Sequence, residues 1–168
     1  PQPTMYAQQV QVAQPAPMPA EKPIAPNVLY LEGLGNGGVY SLNYERLVIP
    51  QLSVRIGFSY ISISASSGGT TSSWSMMTIP LMANYLGLGN DNHHLELGLG
   101  LALANFTGSA SSGAGSVFSA TGFGAYGTAT VGYRFQPLSG GFVFRAGFTP
   151  LFGGGGFVPW GGVSLGAS

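Results

Sequence analysis

Residues 94–103 read HLELGLGLAL, in which Leu95, Leu97, Leu99, Leu101 and Leu103 alternate with Glu96, Gly98, Gly100 and Ala102. Side chains on a β-strand point alternately to its two faces, so a period of two predicts a strand with one large apolar face and one small face. A membrane helix would need about 20 predominantly apolar residues in succession, and the Gly at every second position here interrupts any such run.

The same alternation recurs outward in both directions. In VRIGFSYIS, Val54, Ile56, Phe58 and Tyr60 interleave with Arg55, Gly57 and Ser59; in FVFRAGF, Phe142, Phe144, Ala146 and Phe148 stand opposite Val143, Arg145 and Gly147. Counting these runs predicts eight strands, near 27–34, 38–48, 52–64, 74–86, 94–106, 117–135, 141–150 and 157–168. The connections after the second, fourth and sixth strands are compact turns (VIPQ, GLGNDNH, QPLSG), and those after the third, fifth and seventh are Ser/Gly/Thr-rich or GGGG. Short turns at one end and longer loops at the other are the layout of an antiparallel outer-membrane barrel with periplasmic termini.

Composition decides which face looks outward. The chain has 168 residues, of which 6% are charged, five basic and five acidic, with 45% apolar, 28 Gly and no Cys. Soluble domains carry about a quarter charged residues, so a water-facing surface is excluded. Five cations cannot build a nucleic-acid footprint, and the absence of Cys excludes a disulfide framework or a Cys-based zinc site. The small residues Gly, Ala, Ser and Thr suit the narrow interior of an eight-stranded barrel, which leaves the large apolar face to meet lipid. Aromatic residues fall toward strand ends on that face: Tyr44, Tyr85, Tyr133 and Phe142 toward one rim, Tyr40, Tyr60 and Phe148 toward the other. They read as interfacial girdles.

Six charges, Glu32, Glu45, Arg55, Glu96, Arg134 and Arg145, all fall on the small-residue face, three of each sign. Unpaired, each would be costly in a narrow interior; paired, they form a buried network that closes it. The alternative is a charge-lined path for ions or small solutes.

Residues 1–26 form a separate zone rich in Pro and Gln. Alternating prolines favour extended polyproline II, and YAQQVQV could add as a strand to an exposed sheet edge. Tyr6, Val10, Val12, Pro15, Pro17 and Pro19 are the candidate partner-docking residues of this periplasmic extension. No basic and apolar leader opens the chain, so an export signal is expected to have been removed or to lie outside it.

Other motifs carry less. Gly33-Leu-Gly-Asn-Gly-Gly38 matches a dinucleotide fingerprint, but a strand follows it and the required acid is missing. Asn36-Gly37 reads instead as a hairpin turn of the primed type. His93 and His94 are adjacent on a strand and point to opposite faces, which argues against a shared metal. Asn105-Phe106-Thr107 fits a glycosylation sequon only weakly. The Ser-rich outer loops hold hydroxyls without a base, so an enzyme is not expected, nor is a cofactor.

LYLEGLGNGGVYSLNYERLV (29–48), TIPLMANYLGLG (78–89), HHLELGLG (93–100), GYRFQPLSGGFVFRAGFTPLF (132–152) and PWGGVSLG (159–166) resemble small outer-membrane barrels of Bacteroidota-type Gram-negative bacteria. The resemblance covers roughly 27–168 and is similar in architecture to OmpA-like and OmpX-like eight-stranded barrels. Such strands usually end in an aromatic residue, and the phase of Val163, Leu165 and Ala167 places one just after Ser168, so the expectation is either a chain that continues slightly further or an atypical terminal signal. The resulting expectation is an eight-stranded, all-β transmembrane barrel over 27–168 in the outer membrane. It would scaffold another outer-membrane or periplasmic protein, with a narrow channel or adhesion through loops 65–73 and 107–116 as alternatives.

Overall fold

The computed structural model describes residues 25–168. It contains ten strands: β1 (Asn27–Gly35), β2 (Gly38–Ile49), β3 (Leu52–Ser67), β4 (Thr70–Asn90), β5 (His93–Ser112), β6 (Gly115–Phe135), β7 (Phe142–Phe148), β8 (Leu151–Gly153), β9 (Gly156–Val158) and β10 (Gly161–Ala167). All pair antiparallel: β1 to β6 pair in chain order, β7 lies between β6 and β10, β8 lies between β6 and β9, and β1 closes on β10 with Leu29 opposite Ala167 and Gly33 opposite Val163. The ring has eight staves. The last two are each interrupted, β7 from β8 at Thr149-Pro150 and β9 from β10 at Pro159-Trp160. Proline cannot donate to a ladder, so the eighth run expected from the sequence is broken at Pro159, and the seventh, expected to end at Pro150, resumes beyond it as β8.

Burial follows the alternation. Along β5, Glu96, Ala102 and Ala104 are buried while Leu95, Leu97, Leu99 and Leu101 are exposed, Leu99 by 71%. The interior is polar, and among the described residues its buried apolar cluster is Val28, Tyr30 and Val143. This inversion of the soluble pattern is the arrangement of a transmembrane barrel. Close approaches inside require glycine. A Cβ on Gly166 would fall 2.7 Å from the Tyr30 Cα, and one on Gly132 would fall 2.8 Å from the Gly147 Cα.

The connections at the end opposite the termini differ from the sequence reading. Segments 65–73 and 107–116 are strand rather than loop: β3 and β4 meet at Gly68-Gly69, and β5 and β6 at Gly113-Ala114. Gly68 and Gly69 have φ of 57° and 79°, which is the primed two-residue turn that matches the twist of a hairpin. Asn36-Gly37 does form the expected hairpin turn, with Gly35 opposite Gly38, but the turn is not of the primed type. Positive φ falls instead on Leu34 and Gly38, at 55° and 101°, because the Asn36 side chain is drawn into the interior.

The long strands outrun the ring. The β2–β3 ladder stops at Leu42 opposite Phe58, and β8 meets β6 only at Gly127 and Thr128. Beyond these points β3 to β6 continue as a four-stranded sheet. At ~3.3 Å per residue the β3–β4 hairpin rises ~20 Å past Tyr60. Its outer edges, Ile61–Ser67 of β3 and Gly115–Tyr126 of β6, pair with no further strand among the described residues.

Candidate functional site

The interior site is built from every second residue of strands spread around the ring, so that side chains from opposite walls converge. Glu32 on β1 accepts a hydrogen bond from Arg55 Nη2 on β3 at 2.5 Å, and Arg55 also donates to Asn43 Oδ1 and Asn36 Oδ1, each at 2.9 Å. Arg145 on β7 grips Glu96 on β5 with two donors, Nε at 2.8 Å and Nη2. Arg134 on β6 lies 2.6 Å from Glu45 on β2 and 3.7 Å from Glu96, while its Nε donates to Gln136 Oε1 at 2.8 Å. The structure therefore brings all six interior charges together, each at 4% exposure or less.

Tyr30 joins the two halves of this network, a role the sequence reading did not give it. Its hydroxyl donates to Glu45 Oε2 at 3.2 Å, and its ring is flanked by the guanidinium of Arg145 at 4.4 Å and that of Arg55 at 5.3 Å. Asn36 was also missed. Fully buried at the far end of the interior, it donates to Thr128 Oγ1 at 2.7 Å and accepts from Thr130 Oγ1 at 3.2 Å. Tyr30 shares the inward phase of Val28 and Glu32, and that phase was the available signal; Asn36 lies beyond the break in alternation at the exposed Leu34, so the sequence carried no such signal for it.

Register alone would have paired these charges wrongly. Glu45 stands directly opposite Arg55 in the β2–β3 ladder, and Arg134 opposite Arg145 in the β6–β7 ladder. Like charges directly opposite destabilise a ladder. Here Glu96, projecting from β5 opposite Gly132, contacts both arginines, and together with Glu45 on Arg134 it balances their two charges. The charges of the site balance: three cations and three anions neutralise one another. The cavity left among Glu32, Glu96, Thr130, Arg145, Thr149 and Ser164 has about 10 Å³, room for roughly one water molecule. Arg145 Nη1 and Thr149 Oγ1 are buried there without a protein partner.

On the outside, Tyr40, Tyr44, Tyr60, Tyr85, Tyr133, Phe142 and Phe148 are all exposed. Tyr60 lies mid-strand rather than at a strand end, because β3 continues to Ser67. His93 is exposed and hydrogen-bonds the Tyr133 hydroxyl at 2.6 Å, whereas His94 is buried. Among the described residues no group of three His, Cys, Asp or Glu is placed to hold a metal. Tyr6, Val10, Val12, Pro15, Pro17 and Pro19 lie outside the described residues.

No family model and no curated protein sequence matches this chain. Solved structures do. Ail, the attachment invasion locus protein of Yersinia pestis, is similar with a TM-score of 0.52 and 15% identity, over 86% of this chain and 97% of that one. It is also similar, at 0.52 and 16%, in its complex with the heparin analogue sucrose octasulfate. The N-terminal β-barrel domain of Pseudomonas aeruginosa OprF gives 0.53 and 10%, over 84% and 93%. The fold is an eight-stranded outer-membrane-type β-barrel. At these identities the likeness speaks to fold alone.

Proposed function

We propose that the chain is a sealed, lipid-embedded barrel of a Gram-negative outer membrane. In this reading it scaffolds a partner protein through the sheet that projects from its far end. The observation that carries this is the filled, charge-balanced interior: a barrel whose lumen is filled by a neutral ion-pair network offers its outer surfaces, not a path, for function. The exposed apolar wall supports the membrane placement. From Leu52 to Tyr60 it spans ~20 Å at a tilt of roughly 40°, close to the height of a lipid-facing band.

The projecting sheet supports the docking role. Its two edge strands present unpaired backbone donors and acceptors, the requirement for adding an extended strand from another protein. No charged residue lies between Arg55 and Asp91 or between Glu96 and Arg134, so nothing on this sheet repels an incoming edge. The same fact argues against a sulfated sugar such as the analogue bound to Ail, because no cation stands on the sheet to receive it.

The test compares co-purification in mild detergent of the parent chain, a chain lacking 1–26, and a chain whose β3–β4 and β5–β6 hairpins are shortened. A partner lost only on shortening supports docking at the sheet. A partner lost only on deleting 1–26 moves docking to the extension, and none in any case leaves a stand-alone barrel.

A further inference from the structure

Above the ring, the sheet of β3 to β6 reverses its polarity. Within the ring the outward face is Leu, Ile and Val. Beyond it, Ser64, Ser73, Ser109 and Ser119 form a transverse row on that same face. A hydroxyl-bearing face is costly in hydrocarbon, so this part of the sheet stands in water beyond the lipid band, with its edges open to an aqueous partner.

Of the two edges, β6 offers the longer. Gly115–Tyr126 pairs with no strand on its outer side among the described residues. Natural edge strands are blunted by charge or proline, and this stretch carries neither. The ladder to β5 skips Val117 and is regular from Phe118 onward. The Ala129 N–H turns away from β5 and donates to Pro150 O at 3.3 Å. Alternation therefore aims the N–H groups of Ser119, Thr121 and Phe123 at the open edge as well. Val117, Phe118 and Phe123 flank that edge, exposed by 68%, 57% and 73%.

Topology decides which strand can enter. Below Tyr126 the place beside β6 is taken by β8, with Phe152 opposite Gly127. A neighbouring barrel in the same membrane rises from its own ring at that level, so its ring would meet β8 and β9 before its sheet reached the edge. The chain's own residues 1–24 lead into β1 at the other end of the ring, across the lipid band. An inverted copy, reaching in from a facing membrane, meets neither obstacle. Its β6 runs opposite to this one, which gives the antiparallel pairing used throughout the sheet. The two-fold relation also sets hydroxyl face beside hydroxyl face.

We propose that the β6 edge pairs with the β6 edge of a second copy held in a facing membrane, joining two four-stranded sheets into one of eight. This rests on the lipid-embedded docking reading above, with the chain itself as the partner. The regular stretch Phe118–Tyr126 spans only ~30 Å, so one pair is weak and strength comes from many copies on two apposed surfaces.

The protein has no Cys, so single cysteines can be placed one at a time from Ser119 to Phe123. Each full-length variant is loaded into lipid nanodiscs at one barrel per disc and mixed under a mild oxidant. A non-hydrogen-bonded antiparallel pair sets Cα atoms about 4.5 Å apart, within disulfide reach. The position on the two-fold axis should therefore yield a disulfide-linked dimer that carries two discs, with the yield falling on either side of it. Electron microscopy should show those discs stacked with their far ends together. Thr121→Pro removes one edge-facing N–H from each copy and spares the β5 ladder, and it should lower the two-disc fraction in sedimentation about tenfold. If that variant fails to fold, the cysteine series decides. Discs that stay single, with no self-crosslink at any position, overturn the pairing and leave the docking of another protein standing. Crosslinks that form only when two barrels share a disc overturn the inverted geometry. A parent chain that does not enter discs removes the membrane reading and this pairing with it.

Discussion

At the scale of single residues, Glu96 carries more of the fold than its position in a Gly/Leu strand suggests. It contacts Arg145 with both carboxylate oxygens and Arg134 at 3.7 Å, and those two arginines stand opposite each other in the β6–β7 ladder. Glu96→Gln should therefore destabilise the barrel by about 3–5 kcal/mol, the cost of leaving buried charge uncompensated. Equilibrium urea unfolding in detergent measures it. Removing Glu96 and Arg145 together, as a Met pair, should cost less than the sum of the two single changes. Tyr30→Phe, which loses only the bond to Glu45, should cost about 1 kcal/mol; Tyr30→Ala, which also empties the space between two guanidinium groups, should cost about 3–5 kcal/mol. The inward face of the six charges was legible because alternation reports face directly. Their partners were not, because long side chains reach past the ladder: Arg55 bypasses Glu45 opposite it and meets Glu32. Tyr30 and Asn36 went unread for a related reason. An aromatic residue and a turn asparagine have common structural uses, and only the closed ring brings them to the centre.

At the scale of elements, strand existence was legible and strand ends were not. Ser, Gly and Thr are common in turns, so 65–73 and 107–116 read as loops. In the structure their backbones are held by continuous ladders, Ser67 opposite Thr70 and Ser112 opposite Gly115 at the tips. Hydroxyl pairs such as Ser64 with Ser73 and Ser66 with Thr71, each at 2.9 Å, add to them. Because the extra length lies outside the ring, joining Ser62 to Ser75 through a Gly-Gly turn should leave the barrel folded, with its unfolding midpoint in urea unchanged. Glycines separate the two regions in the same way. Gly166→Ala would place a Cβ against the backbone of Leu29 and Tyr30 at the closing β1–β10 seam and should cost about 1–3 kcal/mol. Gly122→Ala, with open space around it, should change the same midpoint little.

At the scale of the whole molecule, the shortage of charge resolves into two surfaces. The outer wall presents Leu, Ile, Val and aromatic side chains, and the interior holds Glu and Arg in equal number. Electrical neutrality is met locally, inside a ring too narrow to hold more than its own side chains. The seam at Thr149-Pro150 and Pro159-Trp160 is, among the described residues, the one place where two adjacent staves are interrupted. The central claim is that the interior is sealed. Its most direct test is the conductance of the purified full-length barrel in a planar lipid bilayer. The ion-pair network predicts no stable conductance step for the parent chain; a steady open level in the parent would contradict it.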